Sequence, residues 1–207
     1  MSLVFEQCDF SVFDDQTVAG RMAGIKNKLD PKFEVLGQEL AEQLTKQKMV
    51  TYVQVAKHLR RHVYPAPNTW FALGPHKRGY KMLPHIEIGF WDDRLFVWLC
   101  LLENIQDNDR YVMVIKQQCH AILALAKKDK TWRLSGNHMA KPTTDLTQAA
   151  LKAQTTRFAT VKKGEWLLGK IWPKNDPIFD QPGAVEAEIK QTVSALVPLY
   201  QDLLMVL

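Results

Sequence analysis

The sequence predicts an α+β fold in which a mainly antiparallel sheet is covered on one face by amphipathic helices. Strand-like segments come in pairs joined by short turns, whereas segments with helical periodicity lie before and after them. The clearest pair is residues 84–102. Here Ile86, Ile88 and Phe90 alternate with other residues, the Asp92-Asp93 turn follows, and a near-continuous apolar run comes next.

Size and composition predict one domain. The chain has 207 residues, of which 46% are hydrophobic and 24% charged, and such a chain can build a core without metal or disulfide staples. We therefore expect residues 1–207 to form a single α+β domain. No secretory signal is visible, and the longest apolar run, residues 95–102, is far shorter than the roughly 20 residues of a spanning helix. The three cysteines show no ligand spacing, so we expect a cytoplasmic protein with no membrane partner.

The N-terminal quarter predicts a short strand and two helices. Alternation over residues 10–12 is typical of a strand, and apolar residues recur at helical spacing over 18–29. Asp30-Pro31 is typical of an N-cap followed by proline at the first helical position. A second helix, with apolar residues from Phe33 to Leu44 on one face, follows it.

The central segment predicts two strands with polar loops at their ends. Residues 52–55 suit a strand that continues toward His62, the proline-rich residues 65–68 break it, and a second strand covers 69–73. The polar loop 76–79 follows. The remaining elements are a helix over about 108–127, a strand over 131–134, a helix from Asp145 to about Thr160, a strand over 166–172, and a last helix after Pro182-Gly183 that bends at Pro198.

Positive charge is concentrated in the central segment. The net charge is +5, and no Asp or Glu occurs between Gln43 and Ile86. That interval contains four histidines and eight lysines or arginines: His58, His62, His76, His85, Lys46, Lys48, Lys57, Arg60, Arg61, Lys77, Arg78 and Lys81. Because carboxylate partners are missing nearby in sequence, the distribution favours an anionic ligand.

We expect these cations to converge at a strand end. If the first strand continues to His62, Lys57 and Arg61 project from one face, His58 and Arg60 project from the other, and the 77–78 loop closes over one of them. The predicted site is a positively charged cleft for a phosphate-bearing ligand, either a nucleic acid or a small phosphorylated molecule. Its residues are Lys57, His58, Arg60, Arg61, Trp70, Lys77, Arg78, Tyr80 and His85.

Three other readings of the same residues stay open. The cations form a solvated face or ion pairs with Glu87, Asp92, Asp93 or Glu103. Alternatively, the protein is an enzyme in which His58 or His85 acts as acid or base on a phosphorylated substrate. In the third reading, the basic surface binds an acidic protein partner.

No cofactor or metal is predicted. The GxxxxGK[ST] and GxGxxG patterns of nucleotide-binding loops are absent. His58, His62 and His85 with Glu87 would provide zinc ligands, but the arginines between the first two oppose a dication, and no HExxH motif or cysteine pair occurs. The 135–138 segment, SGNH, lacks the GxSxG elbow and is interpreted as a turn.

Three sequence blocks resemble a known family. They are DFSVF (9–13), RMAGIKNKLDPKFEVLG (21–37) and VAKHLRRHVYPAPNTWFALGPHKRGYKMLPHIEIGFW (55–91), and together they resemble the YktB-like family of small uncharacterised bacterial proteins. The resemblance implies a cytoplasmic α+β protein and brings no established activity or catalytic role. The family's motif positions correspond to Lys57, His58, Arg60, Arg61, Trp70, Lys77, Arg78, Gly79, Tyr80 and His85.

Overall fold

The strands form one antiparallel sheet. The computed structural model describes residues 4–59 and 61–207, and within them the sheet order is β1-β2-β3-β4-β7-β5-β6, with every neighbouring pair antiparallel. The strands are β1 Tyr52–Val55, β2 Asn68–Gly74, β3 His85–Trp91, β4 Arg94–Leu101, β5 Trp132–Ser135, β6 Thr144–Asp145 and β7 Trp166–Pro173.

Helices pack on one face of this sheet, which confirms the predicted α+β class. The α-helices are α1 Val18–Gly24, α2 Asp30–Lys46, α3 Asn108–Gln117, α4 Cys119–Lys128, α5 Gln148–Thr160 and α6 Ala184–Leu204. A π-helical turn, Ile25–Leu29, joins α1 to α2, and 3-10 helices cover Gln7–Asp14, Tyr80–Met82 and Pro177–Asp180. In the part of the chain that the structure describes, no helix combines the length and apolarity needed to cross a bilayer.

The main core lies between the sheet and the helices. Alternate residues of β3 and β4 enter it, and the whole cluster extends from Phe5 to Val206. At its centre the Phe90 ring contacts three other phenylalanine rings, with centroid distances of 5.2 Å to Phe5, 5.0 Å to Phe10 and 6.3 Å to Phe33. We call this side of the sheet the helix-covered face.

The opposite side, which we call the loop-covered face, carries a second apolar cluster that includes three tryptophans. Glycines make room for its rings. A Cβ at Gly89 would lie 2.8 Å from the Phe96 ring, and one at Gly169 would lie 2.8 Å from the Trp98 ring. Segments 56–59, 75–84 and 136–143, which contain no α-helix, cover this face through contacts such as His58 with Trp70. The cleft described below lies under these segments.

Two predictions about the N-terminal quarter are wrong. Residues 10–12 belong to a 3-10 helix instead of a strand, because Phe10, Val12 and Phe13 all enter the core. Asp30 is not an N-cap, since the backbone stays helical through it (φ −55°, ψ −44°). The π-helical turn just before Pro31 explains how the helix continues, because a π turn alters the backbone pairing that a proline ring would otherwise disrupt.

The first central strand is shorter than predicted. β1 ends at Val55, and the Ala56 N–H donates to the Trp70 carbonyl at 2.9 Å. His58 then has a left-handed backbone (φ 48°), which a strand cannot accommodate. The prediction that Lys57 and Arg61 project from a strand face is therefore wrong.

Later elements follow the prediction with shifted ends. The helix predicted over 108–127 is divided at Gln118 into α3 and α4. Thr147 caps α5 through its side chain, while Asp145 lies in β6. Pro198 lies inside α6.

Candidate functional site

A cleft of about 560 Å³ opens on the loop-covered face. Its wall consists of the three covering segments together with Trp70 of β2 and the loop after β4. Its lining residues are Lys57, His58, Leu59, Arg61, Trp70, Tyr80, Lys81, Glu103, His138 and Met139.

Trp70 is the centre of the cleft wall. Its indole N–H donates to the Tyr80 hydroxyl at 3.0 Å. Two imidazoles make T-shaped contacts with its ring. The centroid distance is 5.6 Å for His58 and 6.1 Å for His138. The Lys81 ammonium lies 5.0 Å from the ring centroid, a favourable cation–π distance. These contacts hold residues from three segments around one side chain.

Three cationic side chains line the cleft: Lys57, Arg61 and Lys81. None of them takes part in the ion pairs found among residues 4–59 and 61–207. Glu103 is the carboxylate among the lining residues, and it is exposed. The positive charges of Arg61 and Lys81 both lower the pKa of the neighbouring His58.

His58 is a neutral imidazole at physiological pH. Burial, followed by the charges of Arg61 and Lys81, lowers its pKa from 6.5 to about 4. Its Nε2 lies 3.0 Å from the Thr69 hydroxyl, and its left-handed backbone turns the chain so that Arg61 N–H donates to the His58 carbonyl at 2.9 Å. Histidine tolerates this conformation better than most residues, at a modest cost in strain.

The pKa of His138 is shifted in the opposite direction from that of His58. The Nδ1 of His138 lies 2.8 Å from the Glu165 carboxylate, and its backbone N–H donates to the same carboxylate at 2.6 Å. Burial lowers the pKa of His138, but the hydrogen bond that its ring donates to Glu165 and the charges of Glu87 and Glu165 outweigh it and raise the pKa above 6.5. Its Nε2 is buried without a hydrogen-bond partner.

Behind Tyr80, two buried ionisable side chains, His85 and Glu87, lie side by side on β3. The Tyr80 ring meets the edge of His85 at a centroid distance of 4.9 Å, and His85 Nε2 lies 3.2 Å from the Glu87 carboxylate. Burial raises the pKa of Glu87, yet the hydrogen bond and charge of His85, with help from His138 and Lys81, bring it below its ordinary value. Glu87 is therefore ionised although it is 1% exposed.

The structure brings together part of the predicted site. Lys57, His58, Arg61, Trp70 and Tyr80 line the cleft. His85 is fully buried behind it, and its Nδ1 lies 2.8 Å from the Leu83 carbonyl. Arg60 lies outside the residues that the structure describes.

Lys77 and Arg78 are not among the lining residues, so the prediction that their loop closes over the cleft is wrong. The reason is that loop 76–79 bends toward β1. Gln54 donates to the His76 carbonyl at 3.1 Å, and the Lys77 ammonium lies 5.8 Å from the Tyr52 ring centroid.

Lys81 and His138, which both contact Trp70, are lining residues that were missed from the sequence. Lys81 belongs to the acid-free interval, and its place in the KRGYKM segment was the available signal. His138 was interpreted as part of a turn. Its role depends on Glu165, which is 27 positions away, so local sequence contained no signal for it.

Comparisons with known proteins place the chain in a family. A family model described as "Domain of unknown function (DUF1054)" matches residues 5–200. The chain is 42% identical to a UPF0637 protein of Latilactobacillus sakei subsp. sakei (strain 23K) over 96% of this chain and 98% of that relative. It is 39% identical to a UPF0637 protein of Lacticaseibacillus casei (strain BL23) over 97% and 98% of the two chains. The chain therefore belongs to this family of uncharacterised bacterial proteins, which confirms the resemblance drawn from the sequence.

Proposed function

We propose that this protein binds a small anionic ligand that carries a phosphate group, in the cleft around Trp70. The proposal depends on one observation: Lys57, Arg61 and Lys81 line the same cleft, and none of them takes part in the ion pairs among the described residues. Like charges gathered in a partly desolvated cleft repel one another, and a bound anion relieves that repulsion. The planar guanidinium of Arg61 suits a phosphate oxygen pair.

Two features favour a small ligand over a nucleic acid. The cleft volume of about 560 Å³ lies within the usual range of small-molecule sites. Trp70 is only 5% exposed, and its ring already contacts two imidazoles and an ammonium. It therefore has no free face on which a nucleobase would stack, as single-stranded nucleic-acid binding requires.

The proposal includes a cytoplasmic location for this binding. Cys8, Cys100 and Cys119 are all free thiols, a state that a reducing compartment maintains.

Calorimetric titration with inorganic pyrophosphate and with a nucleoside monophosphate tests the proposal. Arg61→Ala and Lys81→Ala should each weaken binding by roughly 10- to 100-fold, because each removes one charged hydrogen bond. Lys77→Ala and Arg78→Ala are matched controls, since they remove equal charge from outside the cleft. Equal losses in all four variants, or no binding by the wild type, would contradict the proposal.

A salt series separates the small ligand from a polynucleotide. Binding of an oligothymidylate should be weaker than binding of pyrophosphate. A tight complex whose affinity falls with salt at a log–log slope of about −0.7 per phosphate contacted would instead favour a single-stranded nucleic acid as the ligand.

An enzyme acting on a phosphorylated substrate is the second candidate, and the His138–Glu165 pair favours it. A carboxylate that holds an imidazole by Nδ1 orients the ring for proton transfer through Nε2, and His138 lines the cleft with an Nε2 that is buried and has no hydrogen-bond partner. If this is correct, the protein hydrolyses p-nitrophenyl phosphate, and His138→Gln lowers kcat by about 10²-fold or more. Binding without turnover in the wild type would leave the binding function alone.

A further inference from the structure

Three potential metal ligands converge on the loop-covered face, behind the cleft. His85 and Glu87 are two positions apart on β3 and so share a face, and Cys100 on β4 is paired directly with His85. The imidazole nitrogen, a carboxylate oxygen and the thiol sulfur all lie within 4.8 Å of one another. All three residues are buried, at 0%, 1% and 0% exposure.

The hydrogen bond at the other side of His85 fixes its orientation. Its Nδ1 lies 2.8 Å from the Leu83 carbonyl, and a carbonyl only accepts, so Nδ1 carries the proton. Its Nε2 faces the Glu87 carboxylate, 3.2 Å away, and because a carboxylate also only accepts, a bound ion would take the place of the proton between them. Metal-binding histidines generally have this arrangement, in which one ring nitrogen donates to a backbone carbonyl and the other binds the ion.

A buried carboxylate at this position needs a cation. Glu87 lies in the interior with its carboxylate against His85 and beside the Cys100 sulfur, and an isolated charge in such surroundings is very costly. A proton on His85 would supply one positive charge. A divalent ion would also bind the sulfur, whose contact with the Trp98 carbonyl is long, at 3.6 Å.

We propose that His85, Glu87 and Cys100 form a binding site for Zn²⁺. One imidazole, one carboxylate and one thiolate are the ligand types that zinc accepts, and three protein ligands leave a fourth position for water or a ligand atom. Tyr80, which packs on His85 and lines the cleft, separates the ion from the anion site. This zinc site is independent of the proposed anion site, because none of its three ligands is among the residues that line the cleft. Different measurements therefore test the two sites.

Cobalt substitution is the first test. The full-length protein is treated with a chelator and titrated with Co²⁺ in the absence of phosphate. The double variant Cys8→Ser/Cys119→Ser, in which Cys100 is the remaining cysteine, should bind one Co²⁺ per chain. It should show the visible bands of a tetrahedral site together with a sulfur-to-cobalt charge-transfer band, and Zn²⁺ should displace the Co²⁺.

Further variants identify the ligands. Adding Cys100→Ser to the double variant should abolish the charge-transfer band, and Glu87→Gln should weaken Co²⁺ binding by at least about 10-fold. His76→Gln, an exposed histidine outside the cluster, is the control and should change nothing. Absence of a Co²⁺ spectrum in the double variant, or a charge-transfer band that survives the loss of Cys100, would overturn the proposal.

A second measurement avoids the risk that Cys100→Ser fails to fold. X-ray absorption of the Zn²⁺-loaded double variant should show one sulfur neighbour at about 2.3 Å and nitrogen or oxygen neighbours at about 2.0–2.2 Å. A shell of nitrogen and oxygen alone would place the zinc elsewhere and contradict the assignment.

Discussion

The two faces of β3 carry different kinds of residue in one continuous strand. Ile86, Ile88 and Phe90 enter the helix-covered face, where apolar packing is sufficient. His85 and Glu87 point to the loop-covered face and are equally buried. Burying ionisable groups is costly, and a sheet selected only for stability would repeat the apolar pattern on both sides. The helix-covered face of β3 is packed with apolar side chains alone, whereas its loop-covered face buries an ionisable pair, and this difference is what supports the proposed ligand sites on the loop-covered face.

The largest expected effect tests the helix-covered face. Phe90→Ala should lower the free energy of unfolding by about 3–5 kcal/mol, because it removes a ring that contacts three other phenylalanines. Urea denaturation followed by fluorescence measures it. Val50→Ala, at a 63% exposed position, is the control and should change stability by less than about 0.5 kcal/mol. A loss below about 1 kcal/mol for Phe90→Ala would mean that this face is loosely packed.

The next effect tests the loop-covered face in the presence of a chelator. Glu87→Gln should cost about 1.5–3 kcal/mol, because it replaces the buried carboxylate that pairs with His85 by a neutral amide. The double variant His85→Gln/Glu87→Gln should cost less than the sum of the two single changes, as coupled neighbours do. Additive losses would show that the two side chains do not interact.

A smaller, pH-dependent effect belongs to the helical layer. Burial and the charge of Glu34 raise the pKa of Asp30 from 3.8 to about 6, and its Oδ1 is buried without a partner. The stability that protonated Asp30 contributes is fully present below its unfolded pKa and is lost as the pH rises through about 6. Asp30→Asn should therefore raise the free energy of unfolding by about 1 kcal/mol at pH 8 and leave it unchanged at pH 3.5. An equal effect at both pH values would contradict the assignment.

The smallest expected effect is a difference in pKa between two histidines of the cleft, and it is measured on the wild-type protein. The pKa of His58 is lowered to about 4 and that of His138 is raised. In a histidine-detected NMR titration, His58 signals should stay constant from pH 5.5 to 8, while His138 titrates above 6.5. Because the folded pKa of His58 lies below its unfolded value, its contribution favours the folded state above pH 6.5 and is lost as the pH falls toward 4. Titration of His58 near pH 6.5 would show that it is solvated.

Much of the sheet could be predicted from the sequence, because its signals are local. The alternation in β3 and the apolar run of β4 fixed the hairpin, and the two-residue turn at Asp92-Asp93 sets a register that places Cys100 across from His85. That neighbour relation was available from the sequence, although the cysteines were considered only for their spacing along the chain. The prediction of a strand over residues 10–12 was wrong, because an alternation over three residues is too short to distinguish a strand from a 3-10 helix with several buried residues.

The rest of the site depended on geometry that one sequence does not encode locally. The left-handed His58 turns the basic segment away from the sheet, so the predicted rows of cations along a strand do not form. The 76–79 loop bends toward β1 through Gln54 and Tyr52, which separates Lys77 and Arg78 from the cleft. The His138–Glu165 pair joins two segments far apart in the chain.

Chemical-shift mapping is the most direct test of the proposed binding of an anion beside Trp70. In a ¹H–¹⁵N titration with inorganic pyrophosphate, the indole N–H of Trp70, which is hydrogen-bonded to Tyr80, should shift saturably together with the backbone amides of Arg61 and Lys81. Saturable shifts confined to residues around Lys77 and Arg78, or linear shifts without saturation anywhere, would contradict the account.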